Sequence, residues 1–153
     1  MSDAREPGRS LEEQVRAGIA RLTRLTDGVA ARFPTAVVDR QPTAAWVTPP
    51  PGAAPFAWHV WSDVGDLLLV VGSGGCRWEL DVTDALDLEL VEAVTEAVLA
   101  GRVTERLGRG RAEVSVGLPG ETAGQLTVQA PWGCLPSPGW RSRARQVDHR
   151  PYG

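Results

Sequence analysis

At 153 residues the chain is long enough for one domain with its own core and too short for two of ordinary size. A hydrophobic share of 42% against 23% charged residues belongs to a globular chain and excludes a low-complexity, fully solvated one. The formal net charge of −3 gives no global attraction to nucleic acid or an anionic membrane, so either partner would need a local patch. Lysine and asparagine are absent, Ile19 is the one isoleucine, and all 16 positive charges are arginine, a bias expected of GC-rich bacterial coding before any function. Tryptophan supplies six of the nine aromatic residues, the other three being two Phe and one Tyr.

Residues 1–9 read as a disordered leader with charges of both signs and no apolar signal segment. No run approaches the roughly 18 apolar residues of a membrane span. A cytoplasmic location is therefore expected, with Cys76 and Cys134 reduced rather than bridged. Ser10 and Glu13 form a capping box that opens a helix at Leu11. Leu11, Val15, Ile19, Leu22, Val29 and Phe33 place one apolar stripe along it, and Pro34 ends it.

Ala36–Trp46 is weakly patterned, and the prolines between Pro49 and Pro55 mark an exposed connection. Strands are expected over 56–62, 67–72 and 76–82, close enough in sequence to be antiparallel hairpins. A second helix follows, capped by Thr83, Asp84 or Asp87, with Leu86, Leu90, Val94 and Val98 on its apolar face and Gly101 at its end. Further strands are expected over 102–107, 112–118 and 125–130, before a tail from Pro131 rich in Pro, Arg and Trp that runs as surface coil or is disordered. The fold class is α+β: an antiparallel sheet of about six to seven strands, two helices on one face, in the order α-β-β-β-β-α-β-β-β. The domain plan is a leader over 1–9, one domain over 10–130 and a tail over 131–153.

Gly72-Ser73-Gly74-Gly75 is the first stretch that invites a chemical reading, as a phosphate cradle. A strand rather than a helix follows it, and there is no Walker lysine, so a hairpin turn explains it better. Cys76 beside Arg77 has no base in its neighbourhood, and a small buried residue is the simpler account. His59, Cys76, Cys134 and His149 are 17, 58 and 15 residues apart, without the close ligand pairs of zinc sites, so neither a metal nor any other cofactor is expected. Seven carboxylates lie between Glu79 and Glu96 with no basic residue among them, which predicts a solvated acidic face suited to a basic partner.

Tryptophan gives the more informative pattern. Trp58 and Trp61 have opposite strand parity, so Trp61 and His59 should share the face opposite Trp58. If that face is open, Trp61, His59 and Trp78 form an amphipathic binding patch; otherwise Trp58 and Trp78 are core and the tail covers Trp61. The leading expectation is a non-catalytic, cytoplasmic accessory protein that binds another protein through Trp61, His59 and Trp78 or through Glu89 and Glu92 of the second helix, as a homodimer in one form. In element order alone the chain is similar to toxin-neutralising immunity proteins and secretion chaperones, which implies a toxin or secreted substrate as partner. One alternative is a small hydrolase or transferase that brings His59 to Glu79 or Asp81. Another is a weak nucleic-acid binder using Arg109, Arg111, Arg141, Arg143 and Arg145, which requires the arginine tail to fold back beside the Arg109 hairpin.

Overall fold

The computed structural model describes residues 8–118, 124–130 and 138–153. The expected turn after Leu118, the first part of the tail with Cys134, and most of the leader lie outside the described residues. The capping box is formed: the Ser10 hydroxyl accepts from the Glu13 amide at 3.2 Å and the Glu13 carboxylate accepts from the Ser10 amide at 2.9 Å. Helix α1, Leu11–Arg32, follows and buries Leu22, Thr26 and Val29. Gly18 lets the helix approach the chain at Val82 so closely that a Cβ there would lie 2.3 Å from the Val82 carbonyl oxygen.

Five strands then run in sequence order: β1 (Val37–Gln41), β2 (Ala44–Thr48), β3 (Phe56–Val60), β4 (Asp66–Val71) and β5 (Arg77–Asp81). Each pairs antiparallel with the next, giving a meander. The β1–β2 hairpin was not expected. It turns on Pro42 and Thr43, where proline presets the first central dihedral, and it carries none of the Asn-Gly or Asp-Gly chemistry that signals a tight hairpin. Helix α2, Ala85–Leu99, is capped by Asp84, whose carboxylate accepts from the Leu86 and Asp87 amides. Its buried stripe runs through Leu88, Val91, Val94 and Val98. Leu86, expected on that stripe, is 70% exposed, because it lies about 200° round the helix from the buried Leu88.

After α2, strands β6 (Val103–Gly108), β7 (Arg111–Leu118) and β8 (Gly124–Ala130) form a second antiparallel sheet, and a short helix α3 (Trp140–Arg143) leads into β9 (Arg145–Asp148). The second sheet has the order β8-β7-β6-β9. The α+β class, the antiparallel pairing and the element order are as expected, but the nine strands among the described residues divide between two sheets. After α2, β6 takes its partners from β7 and β9 instead of joining β5. Helix α1 packs on β1 and β2 and α2 on β5 and β7, on the side that Trp58 faces, so one core joins both sheets and both helices. Arg21 bonds both Glu92 oxygens, at 2.6 and 2.8 Å, and Arg32 bonds Glu96 at 2.7 Å, tying α1 to α2.

The described part of the tail is built into the fold. His149 and Arg150 donate their amides to the carbonyls of Val103 and Gly52, and the Tyr152 amide donates to Leu99. The Tyr152 ring is buried, meets Phe33 edge to face at 5.6 Å, and donates its hydroxyl to the Ala54 carbonyl at 2.7 Å. Among the described residues two buried side-chain polar atoms have no hydrogen-bond partner: Trp58 Nε1 and Thr95 Oγ1. Thr95→Val removes that stranded hydroxyl at nearly constant shape and is expected to raise the unfolding free energy by about 1 kcal/mol, measurable by urea titration.

Candidate functional site

The paired strands place Ala45, Trp58, Leu69 and Trp78 in one cross-strand row and Asp39, Trp46, Ala57, Val70 and Arg77 in the adjacent one. Successive side chains on a strand alternate faces, so the two rows point to opposite sides. The Trp58 row faces the helices. Trp58 is buried, and Trp78 is half-buried and packed against the core. Trp78 therefore does not share a face with Trp61: the Gly72–Gly75 turn sets a register that puts it opposite Leu69, which could not be read across the turn in advance.

The opposite face is open. Trp46 is 42% exposed, Trp61 58% and Val37 63%, with His59 also exposed and Ala57, Leu68 and Val70 half-buried between them. The sequence of β4 explains the apolar character. Leu67, Leu69 and Val71 fill the core, and the intervening Leu68 and Val70 are apolar as well, so the strand reads like one covered on both faces. Trp61 and His59 border a groove of about 730 Å³ whose other wall is α1, at Leu11, Val15 and Ile19. A smaller depression of about 260 Å³ lies over Trp46, Ala57 and Val70. The described tail runs to Ala54, Leu99 and Phe33 and leaves Trp61 exposed. Val37 and Trp46 lie on the unexpected β1–β2 hairpin, whereas Leu68 and Val70 lie on an expected strand, where the unbroken run Leu67–Val71 is the signal for a second apolar face.

The acidic residues of α2 are mostly engaged within the fold. Glu92 and Glu96 hold Arg21 and Arg32, and Asp87 accepts the Asp81 amide at 2.8 Å. The hydrogen bonds it donates to Glu92 raise the Arg21 guanidinium above its ordinary range, and Glu89, which is exposed, adds to the negative field there. Glu89 remains on the surface of α2, whereas Glu92 is spent on α1.

Ser73 and Gly74 do cradle an anion, an internal one. Their amides donate to the carboxylate of Glu105, on β6, at 3.1–3.2 Å, and His149 Nε2 lies 2.7 Å from Glu105 Oε1. Glu105 is fully buried, and Gly72 is required beside it: its φ is +81°, and a Cβ would lie 2.4 Å from the carboxylate carbon. The turn thus locks the first sheet to the second. Cys76, at the end of the same turn, is buried.

His59 lies on the open face, and no hydrogen bond joins it to Glu79 or Asp81 among the described residues. No group of three or more His, Cys, Asp or Glu among the described residues is placed to hold a metal ion. No helix among them is long and apolar enough to cross a membrane.

The arginines gather at one end of the second sheet. Trp140 of α3 packs over Gly108, and Arg145 of β9 lies opposite Leu107, so Arg141, Arg143 and Arg145 sit beside the hairpin carrying Arg109 and Arg111. Arg141 stacks on Trp140 at 5.3 Å and bonds Glu113 at 2.9 Å, which also receives Arg106 at 3.4 Å. Comparison with models of known protein families, with curated proteins and with solved structures gives no match.

Proposed function

We propose that this protein is a non-catalytic accessory domain that binds another protein through the open face of the β1–β5 sheet. One observation carries the reading: an apolar surface containing Trp46, Trp61, Val37, Leu68 and Val70 lies on a sheet whose other face already supplies the core. Contiguous exposed apolar surface rimmed by polar residues marks interaction sites, and tryptophan gives large contact area at small entropy cost. Asp39, His59, Arg77 and Glu79 supply that rim. A cytoplasmic setting belongs to this proposal, as does a toxin or secreted substrate for partner, the latter through the element order alone.

The double variant Trp46→Ser, Trp61→Ser is expected to melt like the parent, since both side chains are exposed, and to lose specific capture of the partner. Equal recovery of the same proteins by parent and variant would overturn the reading.

One observation favours a second reading. The arginine tail folds back beside the Arg109 hairpin, the arrangement that nucleic-acid binding requires. One of those arginines, Arg141, is taken up by Glu113, which also holds the neighbouring Arg106, and the whole chain is acidic, which makes this the weaker footprint. Under the leading reading, a labelled oligonucleotide shows no change in anisotropy on titration at low salt. Salt-sensitive binding abolished by Arg143→Glu with Arg145→Glu would replace the leading reading with this one.

A further inference from the structure

We infer that the occupant of the open face is a second copy of this chain, related to the first by a two-fold axis running along β3; the inference rests on the partner-binding reading above. The cross-strand row on this face runs Asp39, Trp46, Ala57, Val70, Arg77, from one sheet edge to the other. It has an acid at one end, a base at the other, apolar residues between and its smallest side chain at the centre.

A two-fold axis along β3 reverses this row onto itself. Asp39 of each copy then faces Arg77 of the other, Trp46 faces Val70, and the two Ala57 residues meet at the axis. A two-fold axis perpendicular to the strands instead sets Asp39 against Asp39 and Arg77 against Arg77, placing like charges together twice. The charge pattern therefore selects the first arrangement.

The geometry is that of aligned sheet packing. Sheets stacked about 10 Å apart and crossed by about 30° offset the row ends by roughly 5 Å, within the reach of an arginine side chain. Arg77 already lies 3.6 Å from Glu79 on its own strand, an exposed contact that Asp39 of the second copy extends into a network. Five strands about 4.8 Å apart and about five residues long make a face of roughly 20 by 17 Å. Two such faces cover roughly 700 Å², short of the roughly 1,000 Å² of a stable specific interface, so the dimer is expected to be a weak one that forms at the upper end of the loading range.

Sedimentation velocity over two decades of loading concentration tests this. The parent chain is expected to shift from monomer to dimer. Asp39→Arg and Arg77→Asp are each expected to raise the dissociation constant at least about tenfold, since each turns both attractive contacts repulsive. Mixing the two variants is expected to restore a dimer, because every contact in the heterodimer is then opposite in sign. That rescue also shows that both variants are folded.

A parent that stays monomeric throughout, or a dimer indifferent to both reversals, overturns the two-fold pairing. A monomeric parent that still loses a heterologous partner through Trp46→Ser and Trp61→Ser defeats the second-copy inference and leaves the partner-binding reading standing. A monomeric parent with no dependence on either tryptophan defeats both.

Discussion

Glu105→Ala is expected to lower the unfolding free energy by about 3–5 kcal/mol, since it removes a fully buried side chain together with the hydrogen bonds it makes to two backbone amides and His149, each worth about 1–3 kcal/mol when left unmade. Glu105 is fully buried and takes donors from Ser73, Gly74 and His149. Without it, the Ser73 and Gly74 amides lose their acceptor and the His149 ring its partner beside a cavity in the core. The loss compares with the 5–15 kcal/mol that holds a typical domain together, so the variant should be marginal near body temperature. Urea titration gives the figure, and a loss below about 1 kcal/mol would show that water or a neighbouring group replaces the carboxylate. Glu105→Gln keeps the shape and one acceptor oxygen and should fall between the two.

Tyr152→Ala is expected to be comparably destabilising, about 3–5 kcal/mol, since it empties an aromatic site in the core and leaves the buried Ala54 carbonyl without its donor. Tyr152→Phe retains the ring against Phe33 and should cost only about 1–2 kcal/mol. The phenol also predicts a pH dependence. Burial raises its pKa above the ordinary value of about 10. The folded state then holds the proton more tightly than the unfolded chain, so this contribution is complete below about pH 10 and is lost as the pH climbs towards the folded value. The chain contains one tyrosine, so tyrosinate absorbance reports this site directly. It should appear together with unfolding; a signal preceding loss of secondary structure would show the ring to be accessible in the native state.

Local chemistry was legible in the sequence wherever a few neighbouring residues determine the structure. Ser10 and Glu13 announced α1, Asp84 and Gly101 bounded α2, and strand parity placed Trp61 and His59 opposite Trp58. Facts that depend on register were not legible. Parity does not carry across a turn of unknown geometry, so the sequence leaves Trp78 between the open face and the core, and the register puts it with Trp58. Trp46 was overlooked because Pro42-Thr43 is a weak hairpin signal.

The Gly72–Gly75 stretch shows the limit from the other side. It was read correctly as a turn between strands, and its amides also bind a carboxylate, but that carboxylate comes from Glu105, more than thirty residues on. A loop's hydrogen-bonding capacity can be read locally; what satisfies it is decided by tertiary pairing. The tail likewise looked unstructured because β9 has no apolar period of its own and is ordered by β6.

The built-in tail bears on how the chain folds. Strands β1 to β5 each need only the next in sequence, so that sheet can grow by successive short loop closures. The bonds from His149 to Glu105 and from Tyr152 to Ala54 close loops of 44 and 98 residues and must wait for both ends to be organised. Residues 145–152 should therefore dock late, after the transition state has committed the rest. Substitutions there would speed unfolding far more than they slow refolding, so this segment governs the lifetime of the native state and the meander governs how soon it is reached.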